Sequence, residues 1–321
     1  MWADHGRLYV FRQHVRVFVM GDAAMRTCLR KACDARALAV IFSAAMIASP
    51  STSGQLQYAS GQSIAPEFAG WVANSDGSFD MVFGYMNRNY EEHPHVPIGP
   101  NNKFEPGEID RGQPTYFLPR RNRHVFRVRV PADFGNKELV WTITANGKTA
   151  SAYASLKPDY GLDGPAIYLN NSGHTMVGRA VRNKAPEVKI DGGLSRVAKV
   201  GEPLALTAIV TDDGIPSIRP APSSGSGLGF RTAMGLRVAW FVYRGQGDSV
   251  TFSPEQFKVY PDFTTEGANS PWTPGWTPPP VPPDGRFPVT VTFREPGTFV
   301  VRVLAHDGGF DTAGDVTVTV H

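Results

Sequence analysis

The C-terminal segment from Gly297 to Gly309 has the clearest alternation of apolar and polar positions in the chain. Every second residue from Phe299 to Ala305 is apolar, so a strand here has one fully apolar face. The run from Asp315 to Val320 alternates again, and the short Gly- and Asp-containing link between the two runs favours a β-hairpin. The chain is therefore predicted to end in two paired strands of an all-β domain.

The first half of the chain carries strand and turn signals of the same kind. An Asn-Ser-Asp-Gly turn at 74–77 and an Asn-Gly turn at 146–147 each separate two strand-like runs. Apolar residues alternate with arginines up to Pro131, and no stretch after residue 53 shows convincing helical periodicity. We therefore predict an all-β protein of two tandem Ig-like β-sandwich domains, residues 54–182 and 183–321.

The Pro- and Gly-rich run from Glu91 to Pro119 is predicted to be a long ordered loop of the first domain. A loop of this length in a compact domain is often functional. Glu105, Glu108 and Asp110 in this loop are close in sequence to five arginines between positions 120 and 129. We expect ion pairs between the two groups.

A basic and then apolar segment precedes the predicted domains. Residues 25–53 run from basic residues through the apolar stretch Ala37 to Ala48 to small polar residues, which is the order of a secretory signal peptide. The apolar stretch is shorter than the roughly 20 residues that span a bilayer. A buried helix or a membrane anchor is the alternative. Because a signal peptide begins close to the amino terminus, residues 1–24 are interpreted as an over-extended start.

Composition and charge change this picture little. The 33 glycines and 27 prolines favour strands joined by many turns. The net charge of +3 comes from the residues up to Ser53, so the remainder is nearly neutral and is predicted to bind no nucleic acid. Both cysteines, Cys28 and Cys33, lie in the predicted signal peptide. We expect a mature chain without cysteine or an integral membrane segment, secreted or located in the periplasm or cell envelope.

The second half carries motifs of a known domain family. An Asn-Lys-Ala-Pro linker at 183–186, a Gly-Glu-Pro turn at 201–203 and an Asp-Asp-Gly at 212–214 precede the terminal strand pair. With these motifs, residues 183–321 resemble bacterial Ig-like domains of the PKD type. The resemblance implies a binding, adhesion or spacer role, and it implies a central strand in which Trp240 packs against the facing sheet.

The mature chain is also similar to a group of uncharacterised secreted bacterial proteins that join such a first segment to an Ig-like second half. The segments that carry this resemblance are GYMNRNYEE (84–92), FLPRRNRHVFRVRVP (117–131) and YASLKPDY (153–160). The resemblance implies no activity.

A Pro- and Trp-rich insert from Pro254 to Pro288 departs from the family pattern. Trp272 and Trp276 stand four residues apart among prolines, so a polyproline II segment there displays two indoles. Rigidly held indoles suit binding to sugar rings or peptides. The alternative is that the insert folds back and covers a sandwich edge or the groove between the domains.

Two sets of residues are candidate metal ligands. His93 and His95 lie on one side of an extended His-x-His, as a zinc site requires, although solvated loop residues show the same spacing. Four aspartates lie in predicted loops at strand ends, where they either share a Ca²⁺ ion or form turns: Asp212, Asp213, Asp307 and Asp311. No other cofactor is expected.

Three functions from different classes follow. The first is a non-catalytic secreted or cell-envelope binding or structural protein, with an unknown extracellular protein or glycan as its partner. It rests on the two sandwiches, the export signal and the lack of a Gly-x-Ser-x-Gly or His-Glu-x-x-His motif. The second is a carbohydrate-binding accessory module that uses Trp272 and Trp276. The third is a metal-dependent hydrolase at Glu91 to His95.

The carbohydrate hypothesis predicts that replacing Trp272 and Trp276 together by alanine abolishes glycan binding, because the indoles supply the contact area. A glycan array probed with the wild-type and doubly substituted proteins measures this. Equal retention of the two proteins on the array would rule out this function.

Overall fold

The computed structural model describes residues 58–162, 182–215, 217–218, 235–256, 280–307 and 310–321. Their regular structure is β, apart from two 3₁₀ turns at Pro158–Tyr160 and Gly247–Ser249. In this described part of the chain, no helix has the length and apolar character needed to span a bilayer. The predicted signal peptide and the predicted over-extended start lie outside the described residues. The division of the chain into two domains after residue 182 stays a prediction.

The first β-sandwich consists of two three-stranded sheets. One sheet has the order β1-β2-β4 and the other the order β3-β5-β6, and all neighbours are antiparallel. The strands are β1 (Ile64–Ala73), β2 (Phe79–Asn87), β3 (Asn102–Glu105), β4 (Arg120–Val130), β5 (Leu139–Ala145) and β6 (Lys148–Ala154). The predicted hairpin turns are both confirmed. Asn146 and Gly147 have φ of 49° and 73°, which a two-residue turn of this hand requires.

Aromatic rings fill the space between these two sheets. Phe83 and Phe126 belong to one sheet, and Phe104 and Trp141 to the other. The rings of Phe126 and Trp141 meet edge to face with centroids 4.9 Å apart, and those of Phe83 and Phe104 with centroids 5.2 Å apart. All four side chains are buried. Edge-to-face pairs of this kind stabilise a core beyond the area that they bury.

The second β-sandwich is Ig-like and consists of two four-stranded sheets. Their orders are β10-β13-β14-β8 and β11-β12-β9-β7. The strands are β7 (Glu187–Ile190), β8 (Ser195–Ala198), β9 (Pro203–Thr211), β10 (Arg237–Arg244), β11 (Val250–Ser253), β12 (Arg286–Phe293), β13 (Gly297–His306) and β14 (Asp311–Val320). The consecutive strands β7 and β8 lie in different sheets, and β8 pairs with the last strand in parallel. The predicted fold class, all-β with two sandwiches, is confirmed.

Trp240 of β10 lies in the second core, as the family resemblance implies, but among the described strands β10 is the outermost of its sheet rather than a central one. It is 1% exposed, and its Nε1–H donates to the carbonyl of Phe287 in the facing sheet at 3.3 Å. Phe293 of β12 and Phe299 of β13 also meet across the sandwich, with ring centroids 4.9 Å apart. The indole therefore joins the two sheets through a hydrogen bond as well as by packing.

The terminal hairpin is confirmed, but both of its faces are covered near β13. The predicted apolar face, from Phe299 to Ala305, lines the core of the second sandwich. On the opposite face Leu304 and His306 are buried as well. The reason is the first sandwich, because Arg302 on this face donates from Nη1 to the carbonyl of Val125 in β4 at 2.8 Å. Residues 57–321 accordingly form one compact unit.

Candidate functional site

The stretch between β2 and β4, predicted to be a loop throughout, contains the short strand β3, which pairs with β5. Side-chain amides order much of the remaining loop. Asn102 is fully buried; its Nδ2 donates to the carbonyls of Val96 and Pro114, and its Oδ1 accepts from Nε1 of Trp141. Three more buried amide side chains bond to the backbone of the loop or its ends: Asn87, Gln113 and Asn122. Because each amide has both donors and an acceptor, it satisfies several buried backbone groups at once.

Residues 110–116 of this loop, called here the docking segment, lie along the edge of β10. The N–H of Thr115 donates to the carbonyl of Tyr243 at 3.1 Å, and the N–H of Gly245 donates to Oγ1 of Thr115 at 3.0 Å. The hydroxyl of Tyr243 donates to the carbonyl of Gly112. We call the contact of the docking segment and β4 with strands β10 and β13 the seam.

Two arginines of the second sandwich complete the seam. The guanidinium of Arg244 binds both carboxylate oxygens of Asp110, at 2.7 and 3.0 Å. Arg302 makes the same two-point contact with Asp315, and its guanidinium carbon lies 3.4 Å from the centroid of the Tyr243 ring. Two-point contacts of this kind fix orientation as well as charge, and the stacking on Tyr243 adds a cation–π attraction.

The pairing expected between the loop acids and the arginines of β4 is not what the seam shows. Asp110 pairs with Arg244 of the second sandwich, and Glu105 pairs with Lys103. Arg129 instead contacts Asp80 of the neighbouring strand. The sequence gives no signal for the partner of Asp110, because it lies 134 residues away along the chain.

His93 joins a group of polar side chains at one end of the seam. Its Nδ1 lies 2.8 Å from the hydroxyl of Tyr116, which donates to Asp248 at 2.8 Å. Burial lowers the pKa of His93 even though the carboxylate of Asp248 is 3.5 Å away. Burial likewise raises the pKa of Tyr116 above its usual range. The imidazole and the phenol are therefore both neutral near pH 7.

Gly247 explains how the ring of Tyr116 fits against the second sandwich. A Cβ atom at this position would lie 2.4 Å from two carbons of that ring. Only a residue without a side chain leaves room for the phenol to reach Asp248. The close approach thus depends on one glycine in a short 3₁₀ turn.

His95, the second predicted ligand of the His-x-His pair, bonds to the side chain of Gln246. Its backbone bridges to Tyr116. Both histidines of the pair thus face the turn that carries Asp248, and burial lowers the pKa of His95 as well. Within the described ranges, no three His, Cys, Asp or Glu side chains are arranged to hold a metal ion.

The four aspartates of the other predicted set lie at two turns. Asp212 accepts from the N–H of Gly214, and Asp213 accepts from the N–H groups of Lys184 and Ile215. In the terminal hairpin, Asp307 accepts from the N–H of Phe310 at 2.7 Å, and Asp311 begins β14. Three of the four carboxylates therefore accept from backbone N–H groups in their own turns. Trp272 and Trp276 lie outside the described residues.

Buried ionisable side chains lie near the turn of the terminal hairpin. Arg237 is 4% exposed, and its Nη2 lies 3.4 Å from Nδ1 of His306. Burial lowers the pKa of Arg237 to about 10 and that of His306 well below 6.5. Asp311 shows the opposite direction for an acid, since burial raises its pKa to about 6. Sequence reasoning identified the aspartates here but not the basic residues on the neighbouring strand.

Cavities open along the seam, among them one of about 290 Å³ and one of about 700 Å³. The smaller, of about 290 Å³, has mainly apolar walls that include His93, Tyr116 and Leu118 from the first sandwich and Phe241, Val250 and Phe252 from the second. The larger, of about 700 Å³, has walls of mixed polar and apolar character, and its lining residues include Arg127, Tyr243, Arg302, Asp311 and Asp315. Both cavities draw walls from both sandwiches, so the seam is the candidate functional site.

No family model and no curated protein matches the sequence. Solved structures give weak likenesses. Domains 4 and 5 of the S-layer protein SbsC match with 8% identity and a TM-score of 0.21, over 58% of this chain and 65% of that one. The Yersinia pseudotuberculosis adhesin InvE matches with 11% identity and a TM-score of 0.20, over 81% of this chain and 59% of that one, and the Clostridium thermocellum CbhA fibronectin(III)-like modules with 10% identity and a TM-score of 0.20, over 84% and 92%. The chain spans less than two thirds of the SbsC and InvE structures. Likenesses at this level assign no activity.

The buried His124 on β4 is expected to make the stability of the protein depend on pH. Burial, together with Arg127, Arg123 and Arg121, lowers the pKa of His124 from 6.5 to about 4. Below pH 6.5 the unfolded state binds a proton that the folded state does not. The free energy of unfolding therefore decreases as the pH is lowered from about 6.5 to about 4, by roughly 3 kcal/mol at most. Asp311, whose pKa is raised, acts in the opposite sense between about pH 4 and 6.

We expect His124→Asn to lose less stability than the wild type between pH 7 and pH 4.5, because asparagine does not take up the proton. Asparagine also tolerates the left-handed backbone of this position, where φ is 51°. Urea unfolding at the two pH values measures the difference, with His321→Asn at the exposed C-terminal residue as the control. An equal loss in His124→Asn and the wild type would contradict the assignment.

Proposed function

We propose that this protein is a secreted or cell-envelope binding or structural protein without catalytic activity, and that its partner is an extracellular protein or glycan. The observation that carries the proposal is the seam. The sequence of the long loop suggests a metal-dependent reactive site, but in the structure polar side chains of this loop form hydrogen bonds between the first sandwich and the second. The PKD-type motifs of residues 183–321 and the signal-like order of residues 25–53 support the same conclusion.

A fixed arrangement of two sandwiches suits such a role. Domains joined by a linker alone move relative to each other by default. Here Tyr243, Arg244 and Gly245 all bond to the docking segment. The loops of both sandwiches are therefore presented at a constant spacing, so a partner that contacts both loses little entropy when they become ordered.

The loop that carries Glu91 to His95 favours this function over the hydrolase hypothesis. The carboxylate of Glu92 accepts from the N–H of Gly61 at 2.6 Å and from Nδ2 of Asn146 at 3.1 Å, so it fixes the loop to its neighbours. His93 is engaged with Tyr116. These contacts fix the conformation of the loop.

We predict that the substitutions Tyr243→Phe and Arg244→Gln together destabilise the folded unit by about 2–3 kcal/mol. They remove one neutral hydrogen bond and a partly exposed two-point ion pair while both side chains still pack. Because the seam couples the sandwiches, the single thermal transition expected of the wild type should broaden or split. Differential scanning calorimetry of the purified protein measures both effects.

The control is Arg129→Gln, which removes contacts within the first sandwich and leaves the seam intact. This exposed residue should change stability by less than about 0.5 kcal/mol. A doubly substituted protein that melts at the wild-type temperature in one sharp transition would contradict the role given to the seam.

Export is tested with the full-length chain carrying a C-terminal tag in a bacterial host. We expect the tagged protein in the periplasm, on the cell surface or in the medium, and shortened by the loss of its leader. The substitutions Val40→Arg and Ile41→Arg in the apolar stretch should keep it in the cytoplasm at full length. Immunoblots of cell fractions give the answer, and an unshortened cytoplasmic wild type would overturn the proposed location.

A further inference from the structure

The smaller seam cavity has the properties of a ligand pocket. Its walls include the apolar side chains of Leu118, Phe241, Val250 and Phe252, contributed by both sandwiches. Its volume of about 290 Å³ lies at the lower end of the range of small-molecule sites, roughly 300–1,000 Å³. The apolar part of a ligand of about the size of a phenyl ring with a short chain would be covered here.

Most polar groups of the cavity wall already take part in bonds inside the protein. The side chain of Gln256 accepts from the N–H of Trp240 at 3.0 Å and donates to the carbonyl of Pro254 at 2.8 Å. The hydroxyl of Tyr116 donates to Asp248. A ligand therefore meets walls that offer few further donors.

The charge at this cavity is negative. Glu255 lines it and is exposed, so its carboxylate lies where the wall meets water. Oδ1 of Asp248 lies 3.5 Å from Nδ1 of His93, and burial lowers the pKa of His93. Among the described lining residues, Glu255 is the acidic side chain, and none is Lys or Arg. A cationic group at this point of the wall is attracted and remains hydrated, whereas an anionic group is repelled.

We propose that this cavity binds a small hydrophobic amine, with the apolar body against Phe241 and Phe252 and the ammonium group beside Glu255. The inference rests on the proposed non-catalytic binding function and names the chemical class of one of its ligands. It does not depend on the partner that the protein meets outside the cell.

Three probes that share a ring and a short chain test the inference: 2-phenylethylamine, 2-phenylethanol and 3-phenylpropionate. Each is titrated into the purified protein and followed by NMR chemical shifts. The amine should bind about two- to fivefold more tightly than the alcohol, as expected for an exposed ion pair. The carboxylate should bind most weakly.

Two substitutions test separately the contact with the ammonium group and the binding of the apolar part of the ligand. Glu255→Gln should bring the affinity for the amine to that for the alcohol, and the matched control Glu295→Gln, at an exposed turn between β12 and β13, should change neither. Val250→Phe should weaken all three probes by about tenfold or more, because its ring takes up part of the cavity. Glu255 is exposed, so Glu255→Gln tests the proposal even if Val250→Phe folds poorly.

The proposal is overturned if no probe binds the wild type at millimolar concentration, if 3-phenylpropionate binds as tightly as the amine, or if Glu295→Gln reproduces the effect of Glu255→Gln. The first of these results leaves the proposed function intact when the protein is exported. Conversion of the bound amine to a product, detected by mass spectrometry, would instead contradict the non-catalytic function while supporting the site.

Discussion

Outside the short strand β3, the backbone polar groups of the loop between β2 and β4 must be satisfied without the regular bonds of a sheet, and the architecture depends on how this is achieved. Buried amides such as Asn102 and Asn87 take this role, since each bonds to carbonyls that are distant in sequence. The loop is thereby given one shape. Only a loop of fixed shape can place Thr115 and Asp110 where β10 can bind them.

The polar residues of the seam are better explained by contact between the sandwiches than by catalysis. His93, Tyr116 and Asp248 form a chain of hydrogen-bonded groups that, seen in isolation, resembles a catalytic arrangement. In this structure the chain connects a loop of one sandwich to a short turn of the other. The same contacts that hold the sandwiches together also form walls of the seam cavities, so a ligand bound there would contact residues on which stability depends.

Much of the fold could be predicted from the sequence because strand periodicity and turn chemistry are local. The alternation before Pro131, the Asn146–Gly147 turn and the terminal hairpin all act over a few residues. The seam could not be predicted, since the partner of Asp110 lies in another sandwich and neither residue type specifies the other. For the same reason the burial of the second face of β13 was missed. The predicted ligand role of Trp272 and Trp276 remains a hypothesis.

The docking segment has one more effect, which concerns association between copies of the chain. Among the described strands, β10 is the outermost of its sheet, and such strands carry backbone groups that readily pair with a neighbouring molecule. Thr115 occupies the carbonyl of Tyr243, and the side chain of Gln256 occupies the N–H of Trp240, both on β10. Two copies of the chain are thereby hindered from pairing with each other along this strand, even at high concentration.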